Sequence, residues 1–251
     1  MIAVDSLSDK NPLVKQIRRA VARGTLTEDG YAVAEGFHLL EEAVAAGREI
    51  GAVIVSEAAR KTPGFPQTRV VSEKTFRDLS STESPQGVIA LVRPPAWTLD
   101  HILSGCALVV VLDGVQDPGN AGAILRAAEA FGATGAVFLK GTVNPYNPKC
   151  LRGSAGSVFR LPIVMDGDLS ALRLYAAMPR APQTIEEADF RGPCGIVFGS
   201  EGHGVSRELE TRVTGVRIPT SGVESLNAAV AAGIMLYEAR RQRTKGIHEP
   251  V

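Results

Sequence analysis

The chain has 251 residues, 45% of them hydrophobic and 22% charged, and its 27 basic side chains balance 27 acidic ones. This describes a soluble globular protein with an apolar core, as one large α/β domain or two modest ones. No run reaches the roughly 18 apolar residues of a membrane span, and acids stand where a secretion signal carries basic residues. The expectation is a cytoplasmic protein with no membrane partner.

A net charge of zero argues, taken alone, against a nucleic-acid partner. The distribution is less neutral. Between Lys10 and Thr27 stand Lys10, Lys15, Arg18, Arg19 and Arg23, with no acid among them, and Arg240-Arg-Gln-Arg-Thr-Lys245 forms a second cluster. Local patches bind phosphate where the average charge predicts nothing. Cys106, Cys150 and Cys194 form no close pair and lack zinc spacing, so buried thiols and no metal are expected.

The first basic cluster lies on a predicted helix capped by Asn11, with Pro12 at the first position, where no N–H is needed. Leu13, Ile17, Ala20 and Val21 recur at helical spacing, and Lys15, Arg18, Arg19 and Arg23 fall on the opposite side. That side is either an ordinary solvated face or an edge that follows RNA phosphates. Phe37, Leu40, Ala43 and Val44 mark a second amphipathic helix closing near Gly47. Strands follow at Ala52–Val55, Arg69–Val71 and Val88–Val92, the last entered through Ser84-Pro-Gln-Gly87. These make a small α/β domain, residues 1–94. Arg93-Pro-Pro-Ala-Trp97 begins a stiff connector (linker 95–105), because paired prolines resist both helix and central strand.

Over residues 106–251 strands alternate with helices. Strands are expected at Ala107–Leu112, Gly135–Leu139, Ile163-Val164, Gly195–Phe198 and Val216–Ile218. Helices are expected from Asn120, near Lys149, after Asp168, and from Val223 to Arg243. The pattern predicts a mostly parallel sheet wrapped by helices.

Three strand ends run into polar, glycine-rich bends, which is how open α/β sheets build ligand crevices. The first is Leu112-Asp-Gly-Val-Gln-Asp-Pro-Gly-Asn120, with Asn120 as an expected N-cap and Arg126 projecting from the same helix. The second is Ile196-Val-Phe-Gly-Ser-Glu-Gly-His-Gly204, in which Glu201 sits among glycines and His203 reads as a loop histidine. The third is Ile218-Pro-Thr-Ser-Gly-Val-Glu-Ser-Leu-Asn227, which brings Ser225 and Asn227 to the mouth of a long helix or simply caps that helix with them. Gly119-Asn-Ala-Gly122 lacks the spacing of a dinucleotide-binding turn, which argues against a nucleotide-dependent oxidoreductase.

Together the three bends resemble the signature motifs of the SpoU (TrmH-like) RNA ribose methyltransferases of the SPOUT superfamily. Tyr31-Ala-Val-Ala-Glu-Gly-Phe-His-Leu-Leu-Glu-Glu-Ala-Val-Ala45 is similar to the ribosomal-protein-like substrate-binding domain that precedes many of their catalytic domains. The resemblance implies a C-terminal α/β fold with a deep trefoil knot, a homodimer, and methyl transfer from S-adenosylmethionine to a ribose 2′-hydroxyl. The extra N-terminal domain favours 23S ribosomal RNA over transfer RNA as substrate. A catalytically silent RNA-binding or ribosome-assembly protein on the same scaffold is the rival.

By the same resemblance Asn120, Arg126, Glu201, Ser225 and Asn227 are the catalytic set, and Gly199, Ile218 and Leu226 bind the donor, mainly through backbone groups. The loop from Pro219 to Ser225 is one residue shorter than the family form. The family casts Arg126 as general base with a substrate phosphate assisting, whereas a guanidinium, which stays protonated in proteins, also serves as a fixed cation that orients the ribose-phosphate. Asn144–Gly156 matches the family's loop and helix between the first two motifs. Lys149 and Arg152 there are RNA-phosphate ligands or plain surface charge.

Overall fold

The computed structural model describes residues 5–59 and 64–244; Lys245, the end of the second basic cluster, lies outside them. In chain order the elements are β1 (Asp5–Ser6), α1 (Pro12–Arg23), β2 (Ala32–Glu35), α2 (Phe37–Ala45), β3 (Ile50–Ser56), β4 (Thr68–Val71), α3 (Glu73–Leu79) and β5 (Val88–Val92). They continue with α4 (Leu99–Leu103), β6 (Leu108–Asp113), α5 (Pro118–Ala130), β7 (Gly135–Phe138), α6 (Pro148–Ser154) and β8 (Ile163–Met165). The last are β9 (Arg173–Ala177), β10 (Cys194–Gly199), α7 (Arg207–Glu210), β11 (Val213–Val216) and α8 (Ala228–Thr244). Contacts divide the chain into Met1–Ala96 with Asn144–Arg160, and Trp97–Val143 with Leu161–Val251. Pattern reading places one boundary within 95–105 and does not foresee that 144–160 packs with the first unit. Within 95–105, α4 buries Ile102 in the second unit.

The first unit is a five-stranded sheet in the order β1-β4-β3-β5-β2, parallel from β1 to β3 and antiparallel beyond. Asn11 caps α1 by accepting the Leu13 N–H at 2.9 Å, and Pro12 takes the first position, as expected. Val14, Ile17 and Ala20 carry the apolar face onto Val33, Ile54 and Ile89; Val14 is an addition to the predicted set. In α2 the predicted Val44 is 47% exposed, and Leu39 is buried in its stead. Gly24 ends α1 at φ +63°, and a Cβ there would stand 2.2 Å from the Asn147 carboxamide. Only glycine satisfies both demands.

Residues 144–160 are tied to this unit by charge. Glu35, at the end of β2, is buried and accepts from the Ser81 N–H (2.8 Å), the Ser81 hydroxyl (2.7 Å), the Thr82 hydroxyl (3.2 Å) and the Ser80 hydroxyl. Arg152 of α6 stands 3.7 Å from the same carboxylate and donates to the Ser81 carbonyl at 3.3 Å. Arg160 pairs with Glu42, and the Arg48 Nε–H donates to the Phe159 carbonyl at 2.8 Å.

The second unit is a six-stranded, wholly parallel sheet in the order β11-β9-β10-β6-β7-β8. Val109, Val111, Val137, Ala176 and Val197 line one core face. Two expectations change here. The helix predicted after Asp168 is strand β9. The Asp168 carboxylate closes a turn by accepting the Ser170 N–H at 2.9 Å, and β9 then pairs with both β10 and β11. Tertiary pairing overrides the helix propensity of Leu172, Arg173 and Leu174. The long helix predicted from Val223 begins only at Ala228. Its far end is pinned by Arg243, which donates to the carbonyls of Phe190 (2.7 Å), Cys106 (2.8 Å), Ala107 (3.0 Å) and Gly192 (2.7 Å).

Two stability predictions follow from these anchors. Glu35→Ala strands the Arg152 guanidinium and the Ser80–Thr82 turn, and lowers unfolding free energy by about 2–3 kcal/mol. Arg243→Ala removes a donor from four carbonyls, of which Ala107 keeps the Cys194 N–H at 3.0 Å, and costs about 2 kcal/mol. Urea denaturation followed by circular dichroism measures both, and a loss below about 0.5 kcal/mol in either contradicts the role given to that residue.

Candidate active site

Strands β6 and β10 pair in parallel with Asp113 opposite Gly199, so the first two glycine-rich bends leave the same edge of the sheet side by side. After β6, the Gly114 N–H is taken by the Thr142 hydroxyl at 2.9 Å. Helix α5 then starts one turn earlier than predicted. Its N-cap is Asp117, whose carboxylate accepts the Asn120 N–H at 2.7 Å, with Pro118 at the first position. The Asp-Pro pair is a legible start signal that the choice of Asn120 as N-cap passes over. The correction has a consequence, because it frees the Asn120 side chain from capping.

That side chain joins the three bends. Its Nδ2 donates to Glu201 Oε1 at 2.5 Å, and its Oδ1 accepts from Asn227 Nδ2 at 3.0 Å. Asn227 in turn caps α8, its Oδ1 accepting the N–H groups of Ala229 (2.9 Å) and Val230 (3.3 Å). Residues 81 and 107 positions apart thus form one hydrogen-bonded line.

The loop carrying Glu201 is closed on itself. Ser200 and Gly204 exchange backbone hydrogen bonds of 2.9 and 2.8 Å, and the His203 N–H donates to the Ser200 hydroxyl at 3.1 Å. A Cβ at Gly199 would stand 2.2 Å from the Gly204 carbonyl carbon, so any larger residue there opens the loop. His203 itself is an exposed loop residue.

Not every expected residue joins this line. Arg126 is exposed on α5, with no hydrogen bond or ion pair among the described residues. Ser225 is exposed and likewise without a hydrogen bond among them. Ile218 and Leu226 are half-buried, flanking a turn in which the Thr220 hydroxyl donates to the Val223 carbonyl at 2.8 Å.

In the first unit Arg18 pairs with Asp9 and Arg19 with Glu28, each at 2.5 Å. Arg152 is engaged by Glu35 and Ser81. Lys15, Arg23 and Lys149 are exposed and unpaired among the described residues. A recess of about 870 Å³ in this unit, between Phe37, His38, Ser84 and Arg77, offers phosphate little. Glu73 and Glu83 line it, and Glu73 engages Arg77 at 2.5 Å.

These bends suit a donor held through backbone. Nothing stands within 4 Å of the Cβ positions of Gly202 and Gly222, so the backbone there is open on that side, whereas the Gly204 N–H and carbonyl are taken by Ser200. Beside them Glu201 is exposed, and Ile218 and Leu226 are half-buried. A parallel sheet whose three strand ends converge on Asn120, Glu201 and Asn227 is the arrangement of an S-adenosylmethionine-dependent RNA methyltransferase acting on a ribose 2′-hydroxyl.

Comparison with known proteins agrees. Residues 107–237 match the SpoU rRNA methylase family, and residues 11–90 match the MRM3-like substrate-binding domain. The chain belongs to the SpoU rRNA methylase family. It is 37% identical to an uncharacterised tRNA/rRNA methyltransferase of Synechocystis, over 94% of this chain and 93% of that protein. It is 30% identical to the 23S rRNA (guanosine(2553)-2′-O)-methyltransferase RlmP of Bacillus subtilis, over 93% of this chain and 98% of the relative. The crystal structure of the SpoU methyltransferase AviRb from Streptomyces viridochromogenes, in complex with AdoMet, superposes with a TM-score of 0.83 at 28% identity, covering 95% of this chain and all (100%) of that one.

The bonding line gives a direct prediction. Asn120→Ala breaks both of its hydrogen bonds and lowers kcat by about 10²-fold. Asn120→Asp keeps an acceptor for Asn227 but sets a second carboxylate against Glu201, and is expected to be the worse of the two. Steady-state kinetics on both variants decides, and an Asn120→Asp enzyme near wild-type activity contradicts the assignment.

Proposed function

We propose that this protein methylates a ribose 2′-hydroxyl in 23S ribosomal RNA, in the cytoplasm and as a homodimer. The observation that carries the reading is the Glu201–Asn120–Asn227 line, which unites the three family motifs at one sheet edge. The ribosomal substrate is supported by the relative that acts on 23S rRNA and by the substrate-binding domain at 11–90. No helix among the described residues is long and apolar enough to cross a membrane. The homodimer is supported by Val230, Ile234 and Tyr237, which recur at helical spacing on α8 and are 51%, 37% and 57% exposed. The knot is adopted from the family. We also take residues 1–94 as the substrate-binding domain, 95–105 as the linker and 106–251 as the methyltransferase domain.

When bound, S-adenosylmethionine supplies an electrophilic methyl group on a sulfonium. Gly199, Ile218 and Leu226 hold the donor through backbone and apolar contacts. Glu201 and Asn227, oriented by Asn120, fix polar groups around the reacting ribose, and Ser225 offers a further hydroxyl. Arg126 acts as a fixed cation, binding the neighbouring phosphate and stabilising negative charge as it grows on the 2′-oxygen. The hydroxyl proton leaves to the substrate phosphate or to water. Lys15, Arg23 and Lys149 grip the RNA backbone, with Arg18 and Arg19 joining them when phosphate displaces Asp9 and Glu28.

The deciding experiment incubates the protein with radiolabelled S-adenosylmethionine and unmodified large-subunit rRNA, small-subunit rRNA or a transfer-RNA pool. Label is expected on a ribose of large-subunit rRNA alone, with an Arg126→Ala enzyme at least about 10²-fold slower. Label confined to transfer RNA overturns the substrate, and a failure to bind S-adenosylmethionine overturns the reaction. For the RNA surface, the triple variant Lys15→Ala/Arg23→Ala/Lys149→Ala lowers the slope of log Kobs against log salt by about 2 to 3. An unchanged slope removes those residues from the interface.

A further inference from the structure

Asp113 ends β6 only 6% exposed, and it stands opposite Gly199 in the ladder. Among the described residues its carboxylate has one hydrogen-bond partner, the Ser206 N–H at 2.6 Å, and no cation. A buried carboxylate with a single backbone donor is costly to the fold. Its single bond nevertheless falls at a particular place. Ser206 follows the closed Gly199–Gly204 turn, so Asp113 fastens the outgoing end of the loop while the β6–β10 ladder fastens the incoming end. Glu201 lies between the two fastenings, on Asn120.

We propose that Asp113 is a positioning residue of the transfer site, holding the Glu201 loop so that Glu201 meets Asn120. The charge-assisted bond from carboxylate to backbone N–H is stronger than a neutral one, which suits a loop whose internal closures, between Ser200 and Gly204 and from His203 to Ser200, are neutral. Asp113 touches no reacting atom; it acts through Glu201. The inference rests on the reading that Glu201 serves methyl transfer.

The test is a double-mutant cycle between Asp113→Ala and Glu201→Ala, with amide hydrogen exchange of the loop as a readout independent of turnover. Asp113→Ala is expected to lower kcat about 30-fold in the wild-type background and less than about 3-fold on top of Glu201→Ala. It is also expected to speed exchange of the 200–206 amides at least about tenfold. Asp113→Asn keeps an acceptor oxygen and is expected to restore most of both. Ser206→Pro removes the donor instead. Ser206 lies at φ −62°, which proline accepts, so this variant reproduces the Asp113→Ala kinetics and replaces it where that protein fails to fold. Equal losses in both backgrounds, or unchanged loop exchange, overturn the positioning role. A Glu201→Ala enzyme with wild-type kcat overturns the underlying reading of Glu201 instead.

Discussion

The Asn120 carboxamide hydrogen-bonds to both of the other strand-end loops, and its hydrogen bonds run in a fixed direction. The first amides of α8 donate to Asn227, Asn227 donates to Asn120, and Asn120 donates to Glu201. The line starts at the positive end of a helix dipole and finishes on a carboxylate, the strongest acceptor available. Each bond therefore polarises the next in the same sense. A carboxamide suits the middle, since it offers a donor and an acceptor on one short planar group. A carboxylate would lack the donor, and a hydroxyl would not span the gap between two partners. The capping of α5 by Asp117 is a condition of this arrangement, because an Asn120 that served as its own cap would have its oxygen turned to the helix backbone.

The sheet makes such a line possible. Parallel pairing of β6 with β10 is in register from Cys194 and Leu108 up to Gly199 and Asp113, so two bends far apart in sequence emerge side by side. Close approach then selects glycine. The loop after β10 folds back until Gly204 lies where a Gly199 side chain would be, and a single methyl group there would displace Glu201 from Asn120. Glycine content in these motifs thus reflects two different demands: contact at Gly199, and a left-handed backbone at Gly204 with φ +69°.

How much of this was legible in the sequence depended on how local each signal is. The start of α1 at Asn11-Pro12 and strand β5 at Val88–Val92 follow from caps and β-branched runs alone, and both stand as read. Asn120, Glu201 and Asn227 were legible as a set because their motifs are specific, although their mutual bonding was not. Strand β9 was not legible, because its residues favour helix and only pairing on both sides makes it a strand. The attachment of 144–160 to the first unit was equally hidden. It depends on Glu35 and Glu42 meeting Arg152 and Arg160 more than a hundred positions on, and no local pattern encodes that.

The same long-range packing builds the basic surface of a chain with no net charge. Gly24 has no side chain, so the last turn of α1 reaches Asn147, and Asn147 caps α6 by accepting the Lys149 N–H at 2.9 Å. Arg23 and Lys149 consequently flank one backbone contact, 126 positions apart in sequence (149 less 23). Lys15 continues the stripe along α1, about 12 Å from Arg23 at the helical rise. Acids are not absent from this surface. Asp9 and Glu28 pair with Arg18 and Arg19, and exposed pairs of this kind are worth little in water. Exchanging such a pair for a phosphate contact therefore costs little. Free cations clustered by tertiary packing, with paired cations beside them, thus give a chain of no net charge a locally basic face.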